Sequence, residues 1–143
     1  MVASGFTTAE MNTVLGLLFG ASGSPFTAPA TLYIGLATGS ITADGTVTGE
    51  PSGNNYARVT VTNTGTNWNT ATDGVVDNKL AFTFPQASGS WGTVANFFIA
   101  THPTDTGDAV IAYGALGTSK AITTGDTASF AAGDLDIQLT ATT

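Results

Sequence analysis

Two apolar segments separated by a polar turn dominate the second half of the chain. Residues 91–100 and 109–116 are rich in aromatic and β-branched side chains, which fit the pleated surface of a sheet. Residues 101–108, which lie between them, contain the Pro, Gly and Asp that form turns. The sequence therefore predicts a long β-hairpin.

Large side chains occupy both faces of the first predicted strand. Because successive side chains alternate, Phe97 and Ile99 are expected on one face and Val94, Asn96 and Phe98 on the other. A strand with an aromatic residue on each face indicates burial on both sides. We expect Phe98 to be covered either by a second sheet or by another subunit.

A single helix is predicted near the N terminus. Thr7 and Glu10 match a capping box, in which the two residues satisfy each other's backbone donors at a helix start. Apolar residues then recur at helical spacing as far as Gly20. These residues are Met11, Val14, Leu15, Leu18 and Phe19. A helix of about 12 residues is marginal alone in water, so this stripe is expected to dock on the sheets or on another chain.

The remaining segments alternate apolar and polar residues over short distances, which is typical of strands. The predicted strands cover residues 32–36, 58–62, 75–76, 80–84, 120–122, 128–130 and 135–139. No helices are available to connect parallel strands, so we predict a mainly β fold, an antiparallel β-sandwich or jelly roll of about eight or nine short strands. We place the N-terminal helix and linker in residues 1–29 and the β-sandwich domain in residues 30–143.

The segment from Thr38 to Asn55 is a long loop of Gly, Thr and Ser with almost no apolar side chains. Loops longer than about 12–15 residues are usually functional or mobile. We therefore expect this loop to be an arm that is poorly ordered in the free protein and orders against a neighbouring molecule.

The charge balance excludes several classes of partner. Ten acidic residues against three basic ones give a net charge of −7, so nucleic acid would be repelled and is not expected as a partner. The chain has no cysteine, which excludes disulfides and thiolate metal sites. No apolar run approaches the ~18 residues of a membrane span, so no membrane partner is predicted.

The sequence offers little for catalysis or cofactor binding. His102, the only histidine, lies in the predicted turn, and no serine stands in a Gly-x-Ser-x-Gly elbow. Several predicted turns contain carboxylates that could bind calcium, but Asp and Gly are ordinary residues of turns. These acids are Asp105, Asp108, Asp126, Asp134 and Asp136. We predict a protein that is not an enzyme and has no cofactor or metal; Trp68, Tyr56 and Tyr33 are candidates for sugar binding and equally for a core.

Several blocks, taken in order, resemble a family of small virion proteins of tailed bacteriophages. That family is often labelled tail fibre proteins and includes capsid decoration, or cement, proteins. The blocks after the helix are residues 26–38, 53–59, 82–85, 91–94, 113–116 and 129–135. The resemblance covers nearly the whole chain and departs from the family pattern in the turn at 101–108, so no function is assigned to His102.

The resemblance implies a β-rich fold, a location in the virion, a homotrimer and no catalytic residues. From it we hypothesise a capsid decoration protein, made in the host cytoplasm, that binds the outer surface of the head and stabilises contacts between major capsid proteins. The alternative is a tail-associated fibre or adhesin that binds a host glycan. The residues expected at interfaces are Met11, Leu15, Leu18, Phe98 and Trp68.

Overall fold

The predicted hairpin is the centre of the molecule. A computed structural model describes residues 4–19 and 27–139, apart from the side chains of Ser4, Leu17 and Leu18. Strand β6 (Gly92–Ala100) pairs antiparallel with β7 (Val110–Ile122), and a 3-10 turn at Gly107–Ala109 leads into β7. Residues 110–116 and 120–122, which the sequence pattern separated, are parts of one strand.

Nine strands and one helix are described. Besides β6 and β7 they are β1 (Ser4–Phe6), α1 (Thr8–Leu18), β2 (Thr31–Ala37), β3 (Val59–Thr62), β4 (Val75–Asp77), β5 (Phe82–Thr83), β8 (Ser129–Phe130) and β9 (Asp136–Gln138). Five strands form one antiparallel sheet in the order β1-β7-β6-β2-β3, and β4–β9 and β5–β8 form two-stranded ribbons. The predicted mainly β fold, with antiparallel sheets and a helix near the N terminus, is confirmed.

Strand β1 was not predicted. It pairs with β7, with Phe6 opposite Ala112, and so forms one edge of the main sheet. The predicted division at residue 29 grouped this strand with the helix and linker. Three residues are too few to show the alternation that identifies a strand from sequence.

A bulge changes the face that one core residue occupies. The register between β6 and β7 shifts between Val94 and Asn96, where Val94 pairs with Lys120 and Asn96 with Ala115. Such a bulge re-aims the side chains on either side of it. Val94 therefore packs in the same cluster as Phe97, not on the face of Phe98, which corrects the simple alternation read from the sequence.

One face of the main sheet carries the larger core. Ile34 lies opposite Ile99 and Leu36 opposite Phe97 on neighbouring strands, and residues of both ribbons pack over them as a second layer. Rings meet edge to face within this layer, as for Phe97 and Phe130 at 5.7 Å between centroids. The strands predicted from alternating apolar and polar residues bury their apolar side chains in this core.

The other face is covered by residues 38–58, which we call the covering segment. Its Ile41 and Val47 form a β-bridge and pack with Phe98, Ala100 and Val110 in a second apolar cluster. This packing corrects the expectation that the loop has too few apolar side chains to pack on its own chain, because Ile41 and Val47 contact the sheet. Order only against a neighbouring molecule stays a prediction. Its ends are also hydrogen-bonded: the backbone N–H of residue 38 donates to the carbonyl of residue 49 at 2.9 Å.

Candidate interaction surfaces

Helix α1 leaves the main sheet at its edge. The N–H of Thr7 donates to the carbonyl of Ile111 at 3.0 Å, which continues the pairing of β1 with β7. Oγ1 of the buried Thr7 accepts from the N–H of Glu10 at 3.3 Å, which confirms one half of the predicted capping box. The N–H of Thr7 is bonded to Ile111 and not to the Glu10 side chain, so the predicted reciprocal bond is replaced by sheet pairing. The N–H of Thr8 donates to the carbonyl of Ala43 at 2.8 Å. The first turn of the helix is therefore fixed to the covering segment.

Beyond its first turn the helix presents an apolar stripe to solvent. Met11, Leu15 and Phe19 are 46%, 53% and 79% exposed. They follow one another at spacing four, so they lie on one side of the helix. We call these three residues the helix stripe. Leu18 was predicted to belong to it, but its side chain lies outside the described residues.

An open apolar groove lies between the main sheet and the β4–β9 ribbon. Its volume is about 200 Å³. The lining residues are Phe6, Leu32, Asn63, Trp68, Val76, Ile99, Ile111, Ala112 and Ile137. The ring of Trp68 packs edge to face on Phe82 at 5.3 Å, and among the described residues its buried Nε1–H has no hydrogen-bond partner. Trp68, expected at an interface, thus lies in the wall of a groove.

An ion pair between the buried Arg58 and the partly exposed Glu50 holds the covering segment to the hairpin turn. The guanidinium of Arg58 donates to both carboxylate oxygens of Glu50 at 2.8 Å. It also donates to the carbonyls of His102, Thr104 and Asp105 at 2.7, 3.1 and 2.9 Å. All five N–H groups are therefore used, and we call Arg58 and Glu50 the clasp.

Aromatic rings complete the surroundings of the clasp. The guanidinium of Arg58 lies 4.7 Å from the ring centroid of Phe98, in cation–π contact. The hydroxyl of Tyr56 donates to Glu50 at 3.0 Å and accepts from the N–H of Leu36 at 2.9 Å. Burial raises the pKa of Tyr56 far above its usual range, so this hydroxyl stays protonated and donates.

The structure explains the burial of Phe98 within one chain. Its side chain is 0% exposed between the sheet and the covering segment. Of the two sequence-based alternatives, another subunit is therefore not needed to cover it. Its ring lies over Gly35, the residue opposite it on β2.

The remaining candidates do not assemble into a catalytic site. Nδ1 of His102 lies 3.0 Å from the carboxylate of Asp105, and both side chains are about 60% exposed at the surface. In residues 4–19 and 27–139 no cluster of His or acidic residues could hold a metal ion. Hydrogen bonds from the backbone N–H and the hydroxyl of Thr123 lower the pKa of Asp126, as expected for a turn carboxylate.

The three sugar-binding candidates are separated. Tyr33 and Tyr56 line one cleft of about 510 Å³ beside the clasp, whereas Trp68 lines the apolar groove. No helix in the described parts of the chain is long and apolar enough to cross a membrane.

Comparison with known protein families shows which family the chain is related to. The family described as podophage GP4 fiber I protein gp80 matches residues 5–138. The chain belongs to this family. No curated protein matches the sequence. Membership identifies a structural protein of a phage virion, and it agrees with the resemblance to virion proteins in the sequence blocks.

Sequence reasoning missed Arg58 and Glu50. Glu50 stands in a polar loop, and the alternation of the predicted strand 58–62 puts Arg58 on the face opposite Val59 and Val61, so neither is marked as a buried partner. The sequence feature that could have identified Arg58 is the small number of basic residues, since Arg58 is one of only three in a chain with ten acids. A rare base that is nearly fully buried has to be paired.

Proposed function

We propose that the chain is a fibre-type structural subunit on the outside of a podophage virion, acting by protein–protein contact as a homotrimer. The observation that carries the virion role is the family match over residues 5–138. The homotrimer is supported by the helix stripe, because apolar side chains exposed in a row on one helix mark an interaction surface.

The covering segment favours a fibre-type role over head decoration. A free polar arm at residues 38–55 was one reason to expect a clamp across neighbouring capsid proteins. In the structure the segment packs on its own sheet through Ile41 and Val47. Its apolar residues are therefore already occupied.

Capsid decoration is the second candidate, with the major capsid protein as partner. It is favoured by the low content of charged residues, 9%, which leaves a surface that many modest contacts can cover without burying charge. Many such contacts that break only together give strong binding through avidity.

Copy number separates the two candidates. Quantitative mass spectrometry of purified virions, with the major capsid protein as internal standard, gives the number of chains per particle. A fibre-type subunit is expected at a small fraction of the capsid copy number and a decoration protein at a comparable number. A ratio near one would contradict the fibre-type proposal.

The trimer is tested by native mass spectrometry and sedimentation across a dilution series. We expect a trimer that dissociates upon dilution or after Leu15→Asp, because a charge on the stripe would have to be buried. Leu80→Asp is the matched control: Leu80 is 49% exposed but lies outside the stripe and groove. A folded wild-type monomer at all concentrations would refute the trimer.

A further inference from the structure

We propose that the helix stripe of one copy docks into the apolar groove of the next copy. This inference rests on the proposed homo-oligomer and names the surfaces that form it. The occupant of the groove is a second copy of this chain, and the contact joins two different surfaces, stripe and groove.

The size and chemistry of the groove fit side chains from a helix. At about 200 Å³ it is smaller than the ~300–1,000 Å³ of sites that enclose a whole small molecule. Eight of its nine lining residues are apolar or aromatic, and the other is Asn63. One or two apolar side chains would fill it and remove the exposed floor from water.

The indole of Trp68 gives the groove an unused donor. Its Nε1–H is buried and unpartnered within the described chain. A buried donor without an acceptor costs free energy, so a partner that brings an oxygen is favoured over a purely apolar one. The exposed side chain of Asn12 on α1 offers such an acceptor, because it lies beside the stripe on the helix surface.

The helix does not reach the groove of its own chain. Hydrogen bonds of Thr7 and Thr8 fix its start against Ile111 and Ala43. Ala43 belongs to the covering segment, which lies on the face opposite the groove, and no described helix side chain lines the groove. The two apolar surfaces are therefore separate within the described chain, and both are open to solvent.

The charge of the protein favours contacts between copies at surfaces that carry few acids. Each copy carries a net charge of −7, so contacts that bring acids together are unfavourable. The groove lining contains no ionisable side chain, and Glu10 is the only one on α1. Stripe and groove are thus a neutral region of an acidic protein.

A contact between two different surfaces can repeat around a ring. Each copy then gives its stripe to one neighbour and receives a stripe from the other, and the ring closes when the rotation allows it. A homotrimer of this kind leaves no stripe unpaired. Packing of helix on helix around an axis would instead leave every groove empty.

Cross-linking distinguishes these arrangements, since the chain has no cysteine. Leu15→Cys and Val76→Cys chains, one carrying a mass tag, are co-expressed and treated with a short bismaleimide. We expect a cross-link between the two kinds of chain at least fivefold more abundant than between two Leu15→Cys chains. The matched control replaces Val76→Cys by Thr123→Cys, at the far end of β7 from the groove, and is expected to give no cross-link.

Native mass spectrometry of the same samples separates failure of this inference from failure of the proposed trimer. Trimers in which Leu15→Cys chains link only to each other would overturn the stripe-in-groove contact while leaving the trimer intact. Monomers without any cross-link would overturn both. The variant Val76→Asp is a second test, because it places a charge in the groove. We expect it to dissociate the trimer. A Val76→Asp chain that is folded by circular dichroism and still forms the trimer would contradict the inference.

Discussion

The two faces of the main sheet are closed by different means. On one face, Ile34, Leu36 and Phe97 pack against apolar side chains of the two ribbons. On the other, a segment with few apolar residues is held over Phe98 by the buried Arg58 clasp. Apolar packing is spread over many contacts, whereas the second face depends on a few residues. The second face should therefore be more sensitive to single substitutions.

The largest effect is expected from Arg58→Met. Removing Arg58, the buried partner of the ion pair, leaves three turn carbonyls without their donor and Glu50 with the hydroxyl of Tyr56 alone. Because Glu50 is partly exposed, the expected cost is about 3 kcal/mol, the lower end of the range for breaking a buried pair. Lys79→Met is the control, since the only hydrogen bond that its side chain makes within residues 4–19 and 27–139 is a 3.4 Å surface contact to the carbonyl of Gly65, and a change within about 0.5 kcal/mol is expected. Urea unfolding at one fixed protein concentration measures both; equal midpoints would show that the clasp does not hold the second face.

An intermediate effect is expected from Gly35→Ala. A Cβ at Gly35 would lie 2.2 Å from Cζ of Phe98, so the ring would have to move within a filled cluster, at a cost of about 1–3 kcal/mol. Gly5→Ala is the control in the same sheet, because nothing lies within 4 Å of its added Cβ. Thermal unfolding should show a lower Tm for Gly35→Ala alone. A Tm equal to that of wild type would mean that the ring has room to move and the second cluster is loosely packed.

The smallest effects concern two turn carboxylates, one beside each face. Hydrogen bonds from Thr42 and Thr46 lower the pKa of Asp44, and those from Thr123 lower the pKa of Asp126. A lowered pKa in the folded state stabilises the protein above the unfolded value near 4 and ceases to do so as the pH falls through the folded value. Asp44→Asn and Asp126→Asn should therefore each be slightly less stable than wild type at pH 7, and the difference should shrink as the pH falls through the lowered pKa. A deficit that persists at pH 2 would assign the effect to something other than ionisation.

The sequence predicted the face that is built by alternation, and for the other face it predicted the burial of Phe98 but not the segment that covers it. The strand at 31–37, the hairpin and the capped helix each carry a periodic or positional pattern that local physics reads directly. Arg58, Glu50 and the buried Asn78, which bonds the carbonyls of Leu80 and Ala131, become partners only when distant segments meet. The groove and the exposure of the helix stripe likewise depend on tertiary placement, which spacing alone does not encode.

The most direct test of the account is hydrogen exchange of the free protein across the covering segment. The amides of Thr38, Gly39 and Thr48 donate backbone hydrogen bonds that tie the segment together. We expect them to be strongly protected in wild type, whether or not particles are present, and to lose most of that protection in Arg58→Met. If these amides exchange in the free wild-type protein as fast as in an unstructured peptide, the account is contradicted. The covering segment would then be an arm that becomes ordered only in contact with a neighbouring molecule.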